Sequence, residues 1–498
     1  MTGRVTGVVA FVASLFERLG IIDAERFRPT MELAWPRIIT GFAIMSKQTA
    51  DLAMVGTAVG TAGTAGLAYA LAYWELVTML GLGLAGGTVS LVSQNYGGEA
   101  TERASLVVTQ SVLLAVVLAL PVVAVFLAFP NALIELLGSK AAPIDHGRTY
   151  LVFVAPAALF ELCNLVASRT YTGVGDTFTE MVARAGGAVL NVLLSGLLIF
   201  GFGLGVAGAA IGTTLSTGFV TVVLAWGMTG RSYGWLGMAP SPVPITADGP
   251  WVDRELVREL IEISTPEIGR RLAAGAVVFP LLWIAATFGP VVVTALEVGR
   301  RVRGLINSVN WGLSLAASSL VGQHLGSGEE GEAAAYGTAI IRLSVVLYAG
   351  IAALVIVLSE PIAVPFVSES SEVPAAAAFV TVGAVSSIGF GLDGAAAGVL
   401  LGAGDTRLPF LASLAGRYLF AIPAALLGPV TPLGIAALYL ALLLETYVPG
   451  GINYWLVRRG RWKAVSRRYR PSATGSETEV GAEAEKETEH GSEAETES

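Results

Sequence analysis

The chain has 498 residues, 54% of them hydrophobic and only 14% charged, where a soluble domain carries about 25% charged residues. With a mean hydropathy of +0.69 it reads as a membrane protein, which excludes a soluble globular fold and leaves no nucleic-acid partner to expect. The formal charge of -8 sits in residues 471–498, where Glu alternates with Ser, Thr and Gly and too little apolar surface exists to offset chain entropy, so a disordered acidic end is expected.

In chain order, residues 5–22 are mostly apolar but hold Glu17 and Arg18 and run into Asp23, Glu25, Arg26 and Arg28. Without a small-residue cleavage site after a basic start, residues 1–30 read as an N-terminal interfacial segment. Apolar runs of about 20 residues, the length that crosses a bilayer, follow over 31–55, 64–93, 105–129, 148–170, 180–201 and 206–229. Pro240, Pro242, Pro244 and Pro250 mark 231–254 as a linker. Six further runs cover 259–288, 294–322, 336–358, 376–401, 408–428 and 432–457, and 458–498 is a basic, then acidic, tail. Cys163, the one cysteine, excludes an intrachain disulfide and a CxxC metal site. The 60 glycines suit helices that approach closely.

The two sets of six runs are copies of one unit. Gly173-Val174-Gly175-Asp176-Thr177 recurs 229 positions later as Gly402-Ala403-Gly404-Asp405-Thr406. At the same offset Leu91-Val92-Ser93-Gln94 recurs as Leu320-Val321-Gly322-Gln323, and Leu204-Gly205-Val206-Ala207 as Leu433-Gly434-Ile435-Ala436. The copies define lobes at 31–230 and 255–457. Arg103, Arg169, Arg184, Arg231, Arg407 and the basic cluster at 458–470 fall on one side, opposite Lys140, Arg148 and an acidic loop around Glu360 and Glu372. The positive-inside rule then makes both termini cytoplasmic. Six spans per copy give a parallel repeat, in which the site lies between or within the halves and one half moves against the other.

These features resemble the multidrug and toxic compound extrusion (MATE) transporters. The resemblance, nearest to archaeal members, rests on the six-plus-six repeat, Gln94 and Gln323 ahead of a cytoplasmic loop, the two Gly-Asp-Thr motifs, and Asn191-Val192-Leu193-Leu194 leading to Ile199-Phe200-Gly201-Phe202-Gly203. It implies an all-α polytopic membrane protein with twelve transmembrane helices in two six-helix, pseudo-symmetric lobes forming a V around a central cavity. It also implies a monomer in a prokaryotic plasma membrane that exports small, often cationic, organic compounds in exchange for protons or sodium ions, with no cofactor, no bound metal and no enzymatic activity. The alternative is a lipid-linked oligosaccharide flippase of the same wider superfamily, with a more arginine-lined cavity and often fourteen spans. The absence of any Gly-Lys pair removes a Walker A loop for ATP. No HExxH motif or histidine cluster suggests hydrolysis.

A charge inside a span costs at least about 2.5–3.5 kcal/mol and needs a reason. Asp51 follows Pro36 by fifteen residues, similar to the family's kinked first helix with its cation-binding aspartate. Leaving water favours the neutral acid, so such a group can take up and release a proton; the other reading is an ion pair with Lys47, one turn away. The resemblance adds Asn191 on the fifth span and Thr213 on the sixth. Ser195 stands where archaeal members carry Asp, which takes a charged ligand from a sodium site and favours protons. In the second lobe Asp393, whose counterpart is Asn164, and Glu267 are candidates either for coupling or for structural charge pairing. On the eighth span Glu297, Arg300, Arg301 and Arg303 either face the cavity or snorkel outward, with Glu297 and Arg301 able to neutralise each other. Glu75, Glu161, Arg417 and Glu445 are further possible cavity charges. Tyr69, Tyr73, Trp74, Trp283, Phe288 and Trp311 offer faces for organic cations, or pack within and at the edges of the membrane.

Overall fold

The computed structural model describes residues 13–137, 141–233, 240–246, 250, 252–364 and 370–470; the acidic end, Lys140 and the first twelve residues lie outside them. Among the described residues twelve long helices organise the chain: α1 (Ala24–Val59), α2 (Thr61–Gly97), α3 (Thr101–Ala128), α4 (Ala141–Gly173), α5 (Thr177–Gly201) and α6 (Gly205–Met228) form one lobe. The other comprises α7 (Arg254–Ala286), α8 (Pro290–Gly326), α9 (Glu330–Val357), α10 (Val373–Gly402), α11 (Arg407–Val430) and α12 (Ala436–Arg459). Among the described residues nine of these are long and apolar enough to cross a membrane. The three that fall short, α1, α8 and α12, are 36, 37 and 24 residues long and carry Asp51, Arg300, Arg303 and Glu445, side chains that face protein interior where a lipid-facing helix would be apolar. The helices overrun the apolar runs by a few residues because caps, not hydropathy, set their ends. Asp176 caps α5 by accepting from Thr179 N at 2.9 Å, and Asp253 caps α7 by accepting from Glu255 N at 2.9 Å.

The repeated motifs meet one another across the lobes. Gln94 Nε2 donates to Gly402 O at 3.0 Å, and Gln323 Nε2 donates to Gly173 O at 2.8 Å. Each glutamine therefore satisfies the carbonyl that opens the other copy's Gly-Asp-Thr turn. The turns need left-handed backbone, φ +89° at Gly175 and +80° at Gly404. Helices α2 and α8 cross here at backbone contact: a Cβ on Gly97 would stand 2.1 Å from Gln323 O, and one on Gly326 1.9 Å from Gln94 O. Ser319 Oγ adds a bond to Thr172 O at 2.7 Å and Ser264 Oγ one to Leu84 O at 3.2 Å. Hydrogen bonds between the lobes run from this end to Ser308 and Met45, near mid-height of α8 and α1. Farther out, no side-chain hydrogen bond joins the lobes among the described residues.

The terminal segments strap the closed end. Ile22 and Phe27 are buried with Leu325 and Trp462 of the second lobe, and Arg26 pairs with Glu332 at 2.9 Å. The basic part of the tail, up to Arg470, is folded: Ser466 Oγ donates to Gln94 Oε1 at 3.1 Å, and Arg467 and Arg470 each reach Glu330 at 2.8 Å. Burying Trp462 and Tyr469 supplies the apolar area that the arginine count conceals. Of the linker, Ile245 N donates to Met228 O at 2.7 Å and Thr246 N to Thr109 Oγ1 at 3.2 Å, so its described part lies on the first lobe.

Candidate functional site

In the first lobe α1, α2, α4, α5 and α6 enclose a pocket of about 100 Å³. Asp51 lies against it, only 5% exposed, and Asn191, Ser195 and Thr213 are buried around it. The hydrogen-bond network assigns the Asn191 amide: its NH2 donates to both Asp51 oxygens at 3.2 Å, while its oxygen accepts from Thr213 N at 3.2 Å and from Thr213 Oγ1 at 3.1 Å. In the opposite amide orientation the contact with Thr213 Oγ1 keeps the same 3.1 Å but the carboxylate would face the amide oxygen. The Ser195 hydroxyl faces Asp51 and completes no hydrogen bond of its own. Close helix contact makes this possible, since a Cβ on Gly212 of α6 would stand 2.6 Å from Ser195 Oγ. Lys47 lines the same pocket, but no ion pair joins it to Asp51 among the described residues. Pro36 lies inside α1, its carbonyl accepting from Thr40 Oγ1 at 2.9 Å.

Glu161 reaches the pocket from α4, paired with Arg184 at 2.8 Å. Arg184 and Arg169, expected at the cytoplasmic surface, are both buried inside the first lobe, so neither supports the orientation rule. Arg169 and Arg37 share Glu180, at 3.9 and 3.1 Å.

Arg37, Leu82 and Trp311 also border a larger cavity of about 360 Å³ between the lobes. Here Glu267 is held by Arg270 and Arg271, both at 2.8 Å. Glu445 is held by Arg303 at 3.1 Å and by Arg417 at 3.9 Å. Arg417 stands on a π-helical turn of α11, Ala415–Ala421, and also bonds Ser413. Asp393 lines the cavity and accepts from Asn453 Nδ2 at 2.7 Å. It does not pair with Glu267; Arg270 stands in the field of both carboxylates. Glu297 lies 3.8 Å from Arg300 and 3.6 Å from Arg301. Arg301, 69% exposed, points outward while Arg300 and Arg303 face in, so the eighth-span charges divide between the two expectations. Trp74 and Trp311 border the pockets, whereas Trp283 is exposed, Phe288 packs in the second-lobe core, and Tyr73 donates to Leu133 O.

Sequence reading missed Arg37, Glu180, Arg270 and Arg271. Their signal was present: Arg37 directly follows Pro36, and Arg270 and Arg271 come one turn after Pro266, well inside apolar runs.

A doubled six-helix bundle, closed at one end by reciprocal bonds and enclosing charged cavities, is the architecture of a polytopic membrane carrier. The chain belongs to the MatE family of transporters, whose family model matches residues 36–197 and 277–427. It is 27% identical over 445 residues, 86% of this chain and 91% of the relative, to the probable multidrug resistance protein NorM of Rhodopseudomonas palustris. It is 25% identical over 416 residues, 81% of this chain and 84% of the relative, to the multidrug resistance protein PmpM of Pseudomonas aeruginosa. A MATE crystal structure in the bent conformation superposes with a TM-score of 0.81 at 19% identity, covering 89% of this chain and 97% of that one. An outward-facing multidrug resistance MATE family transporter does so at 0.80 and 20% identity, covering 88% and 96%.

Proposed function

We propose that the protein is a secondary active multidrug exporter that couples outward movement of organic compounds to inward movement of protons at Asp51. It would work as a monomer in a prokaryotic plasma membrane, with both termini in the cytoplasm and the strapped end closed on that side. The observation that carries this reading is the Asp51 carboxylate, buried yet bordering a pocket, with Asn191 and Thr213 as its neutral partners. Ionised, Asp51 accepts from the Asn191 amide; protonated, one of its oxygens becomes a donor and that contact must be remade. Proton binding thereby shifts the fit between α1 and α5, and a carrier that exposes Asp51 to opposite sides in its two states converts this into exchange. A sodium site would want more anionic oxygen than one carboxylate supplies, and Ser195 contributes only a hydroxyl. The assay is proteoliposome flux with pH and sodium gradients imposed separately. A pH gradient should drive flux and Asp51→Asn should abolish it; flux driven by sodium alone would overturn proton coupling.

The second reading, a lipid-linked oligosaccharide flippase, is favoured by one observation, the arginine lining of the central cavity. Twelve long helices and the multidrug resistance relatives weigh against it. Translocation of lipid-linked sugar by the purified protein in vesicles, with no flux of soluble compounds, would reverse the order of the two.

A further inference from the structure

The cavity between the lobes has a sign. Three buried glutamates each hold two arginines: Glu180 with Arg37 and Arg169, Glu267 with Arg270 and Arg271, Glu445 with Arg303 and Arg417. A carboxylate shared by two guanidiniums leaves one positive charge over, so each group ends with an excess of one. Arg300 adds to the lining, and its partner Glu297 is 43% exposed and divided with Arg301. Asp393 and Glu75 are the remaining acids of the lining, fewer than the surplus they would have to balance.

The guanidiniums are also short of acceptors. Arg169 Nη1, Arg300 Nε and Arg417 Nε are buried and complete no hydrogen bond, standing 3.9, 3.8 and 3.9 Å from the carboxylates of Glu180, Glu297 and Glu445. A charged donor left unsatisfied away from water costs more than a neutral one, and arginine's planar fork matches carboxylate, sulfonate or phosphate oxygens. Beside these donors stand Met79, Leu82, Trp311, Leu315 and Phe390, a surface for an apolar body. An organic cation entering here would meet like charge, which costs several kcal/mol.

We propose that the central cavity binds amphiphilic organic anions, their charged group taken by Arg300 and Arg417 and their apolar part by the Trp311 and Phe390 side. This rests on the exporter reading and reverses its expectation of cationic substrates. The test is equilibrium binding to the full-length protein in detergent, followed by tryptophan quenching, with two dyes on one xanthene core: anionic carboxyfluorescein and cationic rhodamine 6G. The anion should bind at least tenfold more tightly, and Arg417→Gln and Arg300→Gln should each weaken it about tenfold without weakening the cation. Arg417→Gln leaves Glu445 with Arg303, and Arg300→Gln orphans no buried carboxylate, so both variants should remain monodisperse. Equal or tighter binding of the cation, or anion affinity unchanged in both variants, overturns the proposal. Flux in proteoliposomes is read separately: failure of both dyes to move under a pH gradient overturns the exporter reading, while the detergent affinities still decide the sign of the cavity.

Discussion

The two lobes share a fold, a turn chemistry and an offset of 229 positions, and each holds carboxylates of two kinds. The first sets Asp51 among neutral hydrogen-bonding side chains, with Lys47 lining the same pocket, and holds Glu180 between Arg37 and Arg169. The second sets Asp393 against Asn453 and gathers Arg270, Arg271, Arg303 and Arg417 around Glu267 and Glu445. An isolated buried carboxylate with neutral partners can change protonation without breaking a charge group. A carboxylate clamped by two guanidiniums cannot, because protonation would leave both cations uncompensated. Each lobe thus combines a carboxylate that can change protonation with others that are held fixed.

Removing each type of carboxylate tests that contrast most severely. Glu445→Gln strands Arg303 and Arg417 and should lower stability by about 3–5 kcal/mol, read as a loss of folded protein or a large fall in Tm in detergent. Asp51→Asn should leave Tm near the wild-type value while transport is lost. A Glu445→Gln protein as stable as wild type would break the comparison.

Next in size, Ser195→Asp would give the first lobe a second carboxylate. Two buried acids without a cation repel each other, so the variant should be destabilised in potassium buffer and recover in sodium. Sodium at about 100 times its Kd would restore roughly 2.7 kcal/mol. Thermal unfolding against sodium concentration measures this, and the wild type should show no such response.

The fold was legible because its determinants are local or repeated: apolar runs long enough to span, capping Asp176 and Asp253, and motifs returning at one interval. Asp51, Asn191, Ser195 and Thr213 lie together in the first lobe. The arginine groups were not legible, because Arg37 meets Glu180 from 143 positions away and Arg303 meets Glu445 from 142, and hydropathy does not say which helix faces touch. The same gap made Arg169 and Arg184 look like surface charges. The Gly-Asp-Thr motifs serve as repeat markers in the sequence; in the structure each also carries the acceptor for the other lobe's glutamine.

That reciprocal latch predicts a smaller, unequal pair of effects. Gln94→Ala and Gln323→Ala each lose one inter-lobe bond, worth about 1 kcal/mol, but Gln94 also accepts from Ser466 Oγ at 3.1 Å and Gln323 has no such strap. Gln94→Ala should therefore lower Tm more, and Ser466→Ala should reproduce the difference. Equal shifts would mean that the tail does not reinforce the latch.

The smallest effect concerns the one turn where the copies differ in residue but not in backbone. Glu99 has φ +59° and its counterpart Gly328 has φ +83°. A side chain in the left-handed region costs about 1–2 kcal/mol, while glycine gives up more freedom on folding, roughly 0.5–1 kcal/mol. Glu99→Gly should then be neutral to stabilising by up to about 1 kcal/mol, a Tm rise of a degree or two. The reverse change, Gly328→Glu, should destabilise by a similar amount, since it places in the second lobe the strain that the first already carries. Measured together, the two shifts should have opposite signs; shifts of one sign would show that contacts of the side chain, and not the backbone, distinguish the two turns.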